Sequence, residues 1–242
     1  MRTRSLRAWW RSIVFLTSVL PMLPDRPVAW LTPDPVVRRV RYPTDTGEAE
    51  GDLYLPGGEG PHPGLVVCLG VVPFGVEHPQ VARLGRALAR SGFAALLWWS
   101  PAMRDLRLDP DDTGSIARAY AWLIARPEID PERSGLLGTC VGGSFSLLAA
   151  AHPDIRERVR LVVAWAPFAS LRGLARDIAS ATVELDGAPT SWPVDPLTRT
   201  VFVRTLTAHL PPAEAERLRT AAELIECHEP PDLTPQAHAI YP

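Results

Sequence analysis

Gly138-Thr139-Cys140-Val141-Gly142-Gly143 constrains this chain more than any other segment. An apolar pair, Leu136-Leu137, precedes it, and an Ala/Leu-rich helical pattern from Ser144 to Ala151 follows. The residues predict a strand, a tight bend and a helix, in that order. The residue at such a bend carries backbone strain, so positions two before and two after it must be nearly free of side chain. Gly138 and Gly142 meet that demand, and Gly143 relaxes it further. A strand that hands directly to a helix in this way belongs to α/β architecture.

The rest of the chain agrees. Val36 to Tyr42 and Glu50 to Leu55 read as two strands, with Thr44-Asp45-Thr46-Gly47 as their turn. Gly64 to Gly70, Phe93 to Trp99, Ser134 to Thr139 and Arg160 to Ala166 are apolar runs of the kind found in strands covered on both faces. Between them, Gln80 to Ser91 and Asp112 to Ala125 have helical spacing. Alternation of this kind predicts a mainly parallel sheet with right-handed crossovers and flanking helices. After Ala166 the pattern changes: residues 168 to 180 and 196 to 225 read as amphipathic helices around the polar stretch Asp186 to Pro196, with no further buried strand. The expected organisation is an apolar, basic N-terminal arm over 1–35, an α/β core over 36–170 and a helical insert or tail over 171–242.

The frame from Gly138 to Gly143 reads G-x-C-x-G-G, and with its strand and helix it resembles the nucleophile elbow of the dienelactone hydrolase family of α/β-hydrolases. The resemblance covers roughly Val36 to Ser170. It implies an α/β-hydrolase-like sheet and a cysteine nucleophile, Cys140, acting on a small-molecule ester, lactone or thioester without metal or other cofactor. Thiols at helix N-termini ionise more readily than free ones, which suits that role. The resemblance also implies an oxyanion hole built from the backbone N–H of Val141 and a second N–H in the loop Gly70-Val71-Val72, assigned to Val71. Pro73-Phe74 would wall the pocket; Trp98 and Trp99 either line its mouth or fill the core.

A family member of this kind carries its acid and its histidine after two later strands. Only 242 − 140 = 102 residues follow Cys140, and no strand-plus-Asp or strand-plus-His pattern occurs among them. The expectation is a C-terminally incomplete fold with base and acid unassigned. His62 reads as solvated, His78 as a helix cap or exposed, and His152 as lying at the far end of the elbow helix. His209, His228 and His238, with Asp186, Asp195 and Asp232, fall in the tail without a motif. Glu226-Cys227-His228-Glu229 reads as a solvated helix end rather than a metal cluster. Two other side chains compete with Cys140: Ser144, one turn inside the helix, and Cys68, a buried strand thiol. A second reading is therefore a catalytically inactive relative that binds, or that needs a separate C-terminal piece. Its strand at Leu161 to Ala166 would be an open sheet edge prone to self-association.

Composition narrows the partners. A formal charge of -2 gives no nucleic-acid footprint, and all 25 basic residues are arginine, which excludes lysine Schiff-base and P-loop chemistry. Three cysteines at 68, 140 and 227 form neither a disulfide framework nor a metal motif and point to a reducing, cytoplasmic setting. The arm has two readings. Arg2, Arg4, Arg7 and Arg11 precede an apolar stretch from Ile13 to Leu23, too short to span a bilayer. It packs on the domain or, with Trp9, Trp10 and Trp30, makes peripheral contact with a membrane.

Overall fold

The computed structural model describes residues 2–20, 30–44, 47–72 and 78–226. They fall into two compact units divided after Leu174. The first unit is built on a six-stranded sheet of β1 (Val36–Thr44), β2 (Gly47–Leu55), β3 (His62–Cys68), β4 (Ala94–Trp98), β5 (Ile129–Thr139) and β6 (Leu161–Trp165). Their order across the sheet is β1-β2-β4-β3-β5-β6. β1 and β2 pair antiparallel from Val36↔Leu55 to Thr44↔Gly47, and β2 pairs antiparallel with β4. All later pairings are parallel. This is the mainly parallel sheet with flanking helices that the strand–helix alternation predicts.

Sequence chemistry explains the layers. β4 is Ala-Ala-Leu-Leu-Trp and is buried at every position, as a central strand covered on both faces must be. On one face Tyr42, Leu53, Val66, Leu96, Leu136 and Phe145 pack with Ile116 and Tyr120 of a crossover helix; on the other, Tyr54, Leu65, Val67 and Leu97 pack with Val81 and Leu88. Those helices are α2 (Pro79–Arg90), α4 (Asp112–Ile124) and α5 (Val141–Ala150), with the short α3 (Pro101–Arg104) between β4 and α4. α2 starts with Pro79 behind a His78 cap, a pairing that suits an N-terminus because proline has no N–H to satisfy. Gly85 of α2 seats on Tyr54: a Cβ there would come within 2.6 Å of the ring.

The β3–β5 ladder shifts register between Pro63 and Leu65, and one hydroxyl repairs the gap. Ser134 Oγ accepts from Gly64 N–H at 2.8 Å and donates to Asp130 O at 2.6 Å. Tyr120 Oη, buried in α4, donates to Arg158 O at 2.8 Å and so fastens the helix to the approach to β6.

An N-terminal helix, α1 (Arg2–Val19), packs along α2. Arg83 donates to Ser18 O at 2.7 Å and to Leu20 O at 3.0 Å, capping its C-terminal end. α6 (Leu171–Ser180) leads into the second unit. There β7 (Thr182–Leu185) and β8 (Ala188–Ser191) form an exposed hairpin, followed by α7 (Pro196–Leu206) and α8 (Pro212–Glu226). The single helix expected over 196–225 is two helices, broken at Leu210-Pro211, and the polar stretch before them holds the hairpin rather than loop alone. Among the described residues no helix is long and apolar enough to cross a membrane.

Candidate active site

Three parallel strands end on the same side of the sheet. β3 ends at Cys68, β5 at Thr139 and β6 at Trp165, with Cys68 in register with Gly138 and Thr139 with Trp165. Cys140 follows β5 at once and α5 follows Cys140 at once, so the thiol stands at the bend itself. Its backbone is at φ 52°, ψ −128°, outside the regions that side chains ordinarily allow. Such a conformation costs about 1–3 kcal/mol and persists only where the surroundings over-determine it.

The surroundings do so through main-chain contacts that admit no side chain. A Cβ on Gly142 would lie 2.2 Å from Cys68 O and 2.6 Å from Gly70 N; one on Gly138 would lie 2.3 Å from Gly142 O. Gly143 is tighter than ordinary contact, 3.2 Å from Gly138 O. Cys140 N–H donates to Trp165 O at 2.8 Å, and Cys140 O accepts from Gly143 N–H at 3.0 Å. Buried residues flank the bend on the helix side, yet Cys140 itself is exposed.

The turn after β3 is tied to the same bend. Thr139 Oγ1 donates to Leu69 O at 2.7 Å, and Gly70, at φ +76°, approaches so closely that a Cβ would sit 3.1 Å from Val141 Cγ1. Val71 comes next along the chain, half-buried against the core. Among the described residues none accepts a hydrogen bond from Val71 N–H or from Val141 N–H. Val141 opens α5, where the first N–H groups have no intrahelical acceptor and the helix dipole is positive. The end of β5 thus sets an exposed cysteine directly before the unpaired N–H groups that open α5.

The competing side chains are structural. Ser144 Oγ accepts from Phe168 N–H at 2.9 Å and donates to Phe168 O at 3.0 Å, stapling the segment after β6 to α5. Cys68 is fully buried, and burial pushes its thiol up to about 12, against a smaller opposing effect of the Ser146 hydroxyl; it stays protonated and inert. Trp98 fills the core and donates through Nε1 to Ser115 Oγ at 3.2 Å, and Trp99 packs half-buried on the second cluster. Pro73-Phe74 lie outside the described residues.

His62 begins β3, about 20 Å from the strand ends at roughly 3.3 Å per residue, and its Nε2 bonds Gly58 O at 3.2 Å. His152 lies beyond α5, about 18 Å from the bend, where Nδ1 accepts from Asp154 N–H. His78 caps α2, its Nδ1 accepting from Gln80 N–H at 3.3 Å; α2 starts at the end of the sheet that carries Cys140. In the second unit His209 is exposed, Asp186 occupies the β7–β8 turn at φ 51°, and Asp195 caps α7 through Thr198 N–H at 2.9 Å. His228, His238, Asp232 and the run from Cys227 to Glu229 lie outside the described residues. Among the described residues no cluster suits a metal ion.

One buried acid escaped the sequence reading. Asp112, at the start of α4, accepts from Ser100 Oγ at 2.6 Å, and burial raises its carboxyl to about 6. Sequence shows it only as an acidic helix start, which ordinarily means a solvated residue.

No protein-family model matches the chain. Over 108 residues, 44% of this chain, it is 32% identical to acyl-coenzyme A amino acid N-acyltransferase 1 of Mus musculus, matching 25% of that protein. Over 119 residues, 48% of this chain, it is 29% identical to acyl-coenzyme A thioesterase 3 of Mus musculus, matching 26% of it. The matched part is about a quarter of the length of these curated relatives. Among solved structures, 2,6-dihydroxy-pseudo-oxynicotine hydrolase superposes on 78% of this chain and 48% of its own, with a TM-score of 0.54 and 21% identity. The fold is that of the α/β-hydrolases.

Proposed function

We propose that Cys140 is the nucleophile of a dienelactone-hydrolase-like acyl-transfer site that accepts an ester or thioester, with acyl-coenzyme A thioesters the favoured class. One observation carries this reading: an exposed thiol held at φ 52° between β5 and α5 by glycines that leave no room for a Cβ. Strain of that kind has no packing purpose, because Cys140 is exposed. In an α/β-hydrolase elbow a bend of this kind lifts the nucleophile clear of strand and helix, beside the first N–H groups of the helix. The thioester preference rests on the curated relatives, whose names place acyl-coenzyme A on both an acyltransferase and a thioesterase.

In the first step the Cys140 thiolate adds to the substrate carbonyl carbon, forming a C–S bond while the carbonyl π pair moves onto oxygen. Val141 N–H and Val71 N–H donate to that oxyanion. The intermediate collapses with cleavage of the bond to the leaving thiol or alcohol, which departs with the electron pair and takes up a proton. The acyl group then rests on Cys140 until water, or an amine in a transferase, removes it. Cofactor and metal have no part in these steps, and a reducing, cytoplasmic setting keeps the nucleophile free.

The second reading is a relative that binds such molecules without turning them over. It is favoured by His62 and His152 of the first unit, which lie about 20 Å from the strand ends and about 18 Å from the bend. The two readings separate in one assay. With a short-chain acyl-coenzyme A, the full chain should release coenzyme A, and Cys140→Ala should abolish the release. Binding of the same thioester by both proteins, with no release from either, selects the silent relative. Release that persists in Cys140→Ala removes the thiol from the reaction.

A further inference from the structure

β3 and β5 run side by side as far as Cys68 and Gly138, where their ladder ends. The next residue along β5 is Thr139, directly before Cys140; the next after β3 is Leu69, directly before Gly70-Val71. Past that point, among the described residues, the turn after β3 has no strand partner. The Thr139 hydroxyl holds it instead, donating from Oγ1 to Leu69 O at 2.7 Å.

Thr139 is itself well fixed. It pairs with Trp165 of β6, whose carbonyl also receives Cys140 N–H at 2.8 Å. Its branched side chain is stiff at χ1, so little freedom is lost when the hydroxyl bonds. The turn is fitted closely to this spot. A Cβ on Gly70 would lie 3.0 Å from Thr139 O and 3.2 Å from Gly142 N, and Gly70 takes φ +76°, which glycine adopts freely. Val71 stands only two residues past Leu69, so a shift of the Leu69 carbonyl carries the Val71 N–H with it. Displacement of a reacting group by about 1 Å can slow a reaction about a hundredfold.

We propose that Thr139 is a positioning residue for acyl transfer at Cys140, its hydroxyl holding the turn after β3 so that Val71 N–H meets the oxyanion. The proposal rests on the reading of Cys140 as nucleophile and of Val71 and Val141 as oxyanion donors. Thr139 acts through Leu69 and Val71, not on the substrate.

Two reactions of one thiol separate positioning from general damage. Acylation by a saturating short-chain acyl-coenzyme A builds negative charge on the carbonyl oxygen and needs the donors. Alkylation by iodoacetamide displaces iodide from a saturated carbon and builds no oxyanion. Cys140 is exposed to both reagents, and each product is timed by intact mass on the full chain and mapped to Cys140 by peptide analysis. Thr139→Val keeps the branched shape without the hydroxyl, and Thr139→Ser keeps the hydroxyl. Thr139→Val should acylate at least about tenfold more slowly while alkylating at the wild-type rate, and Thr139→Ser should restore acylation. Should Thr139→Val misfold, Thr139→Ala, which also lacks the hydroxyl, is read in its place. The proposal falls if the valine variant acylates as fast as the wild type, if acylation and alkylation slow together, or if Thr139→Ser is as slow as Thr139→Val. A wild-type chain that alkylates at Cys140 but takes no acyl group overturns the nucleophile reading itself, and this proposal with it.

Discussion

The two edges of the sheet are unlike. β1 forms one edge with Arg38, Arg39 and Arg41, and each pairs with a carboxylate: Arg39 with Asp52 at 2.7 Å, Arg41 with Glu50 at 2.9 Å and Arg38 with Glu128 at 3.3 Å. Charged side chains on an edge strand deter another strand from adding to it. β6 forms the other edge with Leu-Val-Val-Ala-Trp, and its alternate residues Leu161, Val163 and Trp165 are exposed, Trp165 at 75%. β6 thus has the composition of a covered strand and the surroundings of an open one. That edge also borders the candidate site, because Trp165 O receives Cys140 N–H. Whatever adds to β6 would arrive beside the thiol.

The largest expected effect tests how sharply cover ends. Leu136 of β5 is fully buried, whereas Leu161, which opens β6 opposite Gly135, is half exposed. Leu136→Ala should cost about 3 kcal/mol and Leu161→Ala under about 1 kcal/mol in denaturant unfolding. Equal losses would mean that β6 is covered in solution.

A smaller effect probes the dry interior between the edges. Asp112 has its carboxyl raised to about 6 by burial, from an ordinary 3.8. The folded chain therefore holds a proton that the unfolded chain gives up, so stability falls as pH rises from about 4 through 6. Asp112→Asn still accepts from Ser100 and removes that loss. The variant should exceed the wild type by roughly 2 kcal/mol at pH 8 and lose its advantage below pH 4. A pH-independent difference would contradict the burial of a titrating acid.

The smallest effect on stability goes with a visible effect on association. Trp165→Arg gives β6 the character of β1 and should suppress self-association in sedimentation while shifting stability by less than about 0.5 kcal/mol. The reverse exchange, Arg39→Leu with Arg41→Leu, should make β1 associate. If neither variant changes the oligomer distribution, the contrast between the edges has no consequence in solution.

The positions of the strands along the chain and the bend at Cys140 were legible because their determinants are local. Continuous apolar runs mark buried strands, and steric exclusion at a strained bend leaves glycine as the residue that fits. What escaped depended on distant partners or weak signals. Asp186-Gly187 is a strong hairpin dipeptide, with both residues at positive φ in the structure. Its flanks Thr182–Leu185 and Ala188–Ser191 lack the apolar alternation that would mark them as strands. Pro211-Pro212 likewise signals the break between α7 and α8, though the amphipathic pattern runs through it. No local pattern could show that Trp165 O would hold Cys140 N–H, or that Ser144 would be consumed by Phe168. A base for Cys140 was not legible, because no strand-plus-His pattern follows the bend in the sequence.

Intact-mass spectrometry of the full chain after brief exposure to a short-chain acyl-coenzyme A tests the role of Cys140 most directly. The account predicts one acyl group per chain, mapped to Cys140 by peptide analysis, present in Cys68→Ala and absent from Cys140→Ala. An acyl group retained in Cys140→Ala, or a wild-type chain that never acquires one, would contradict it.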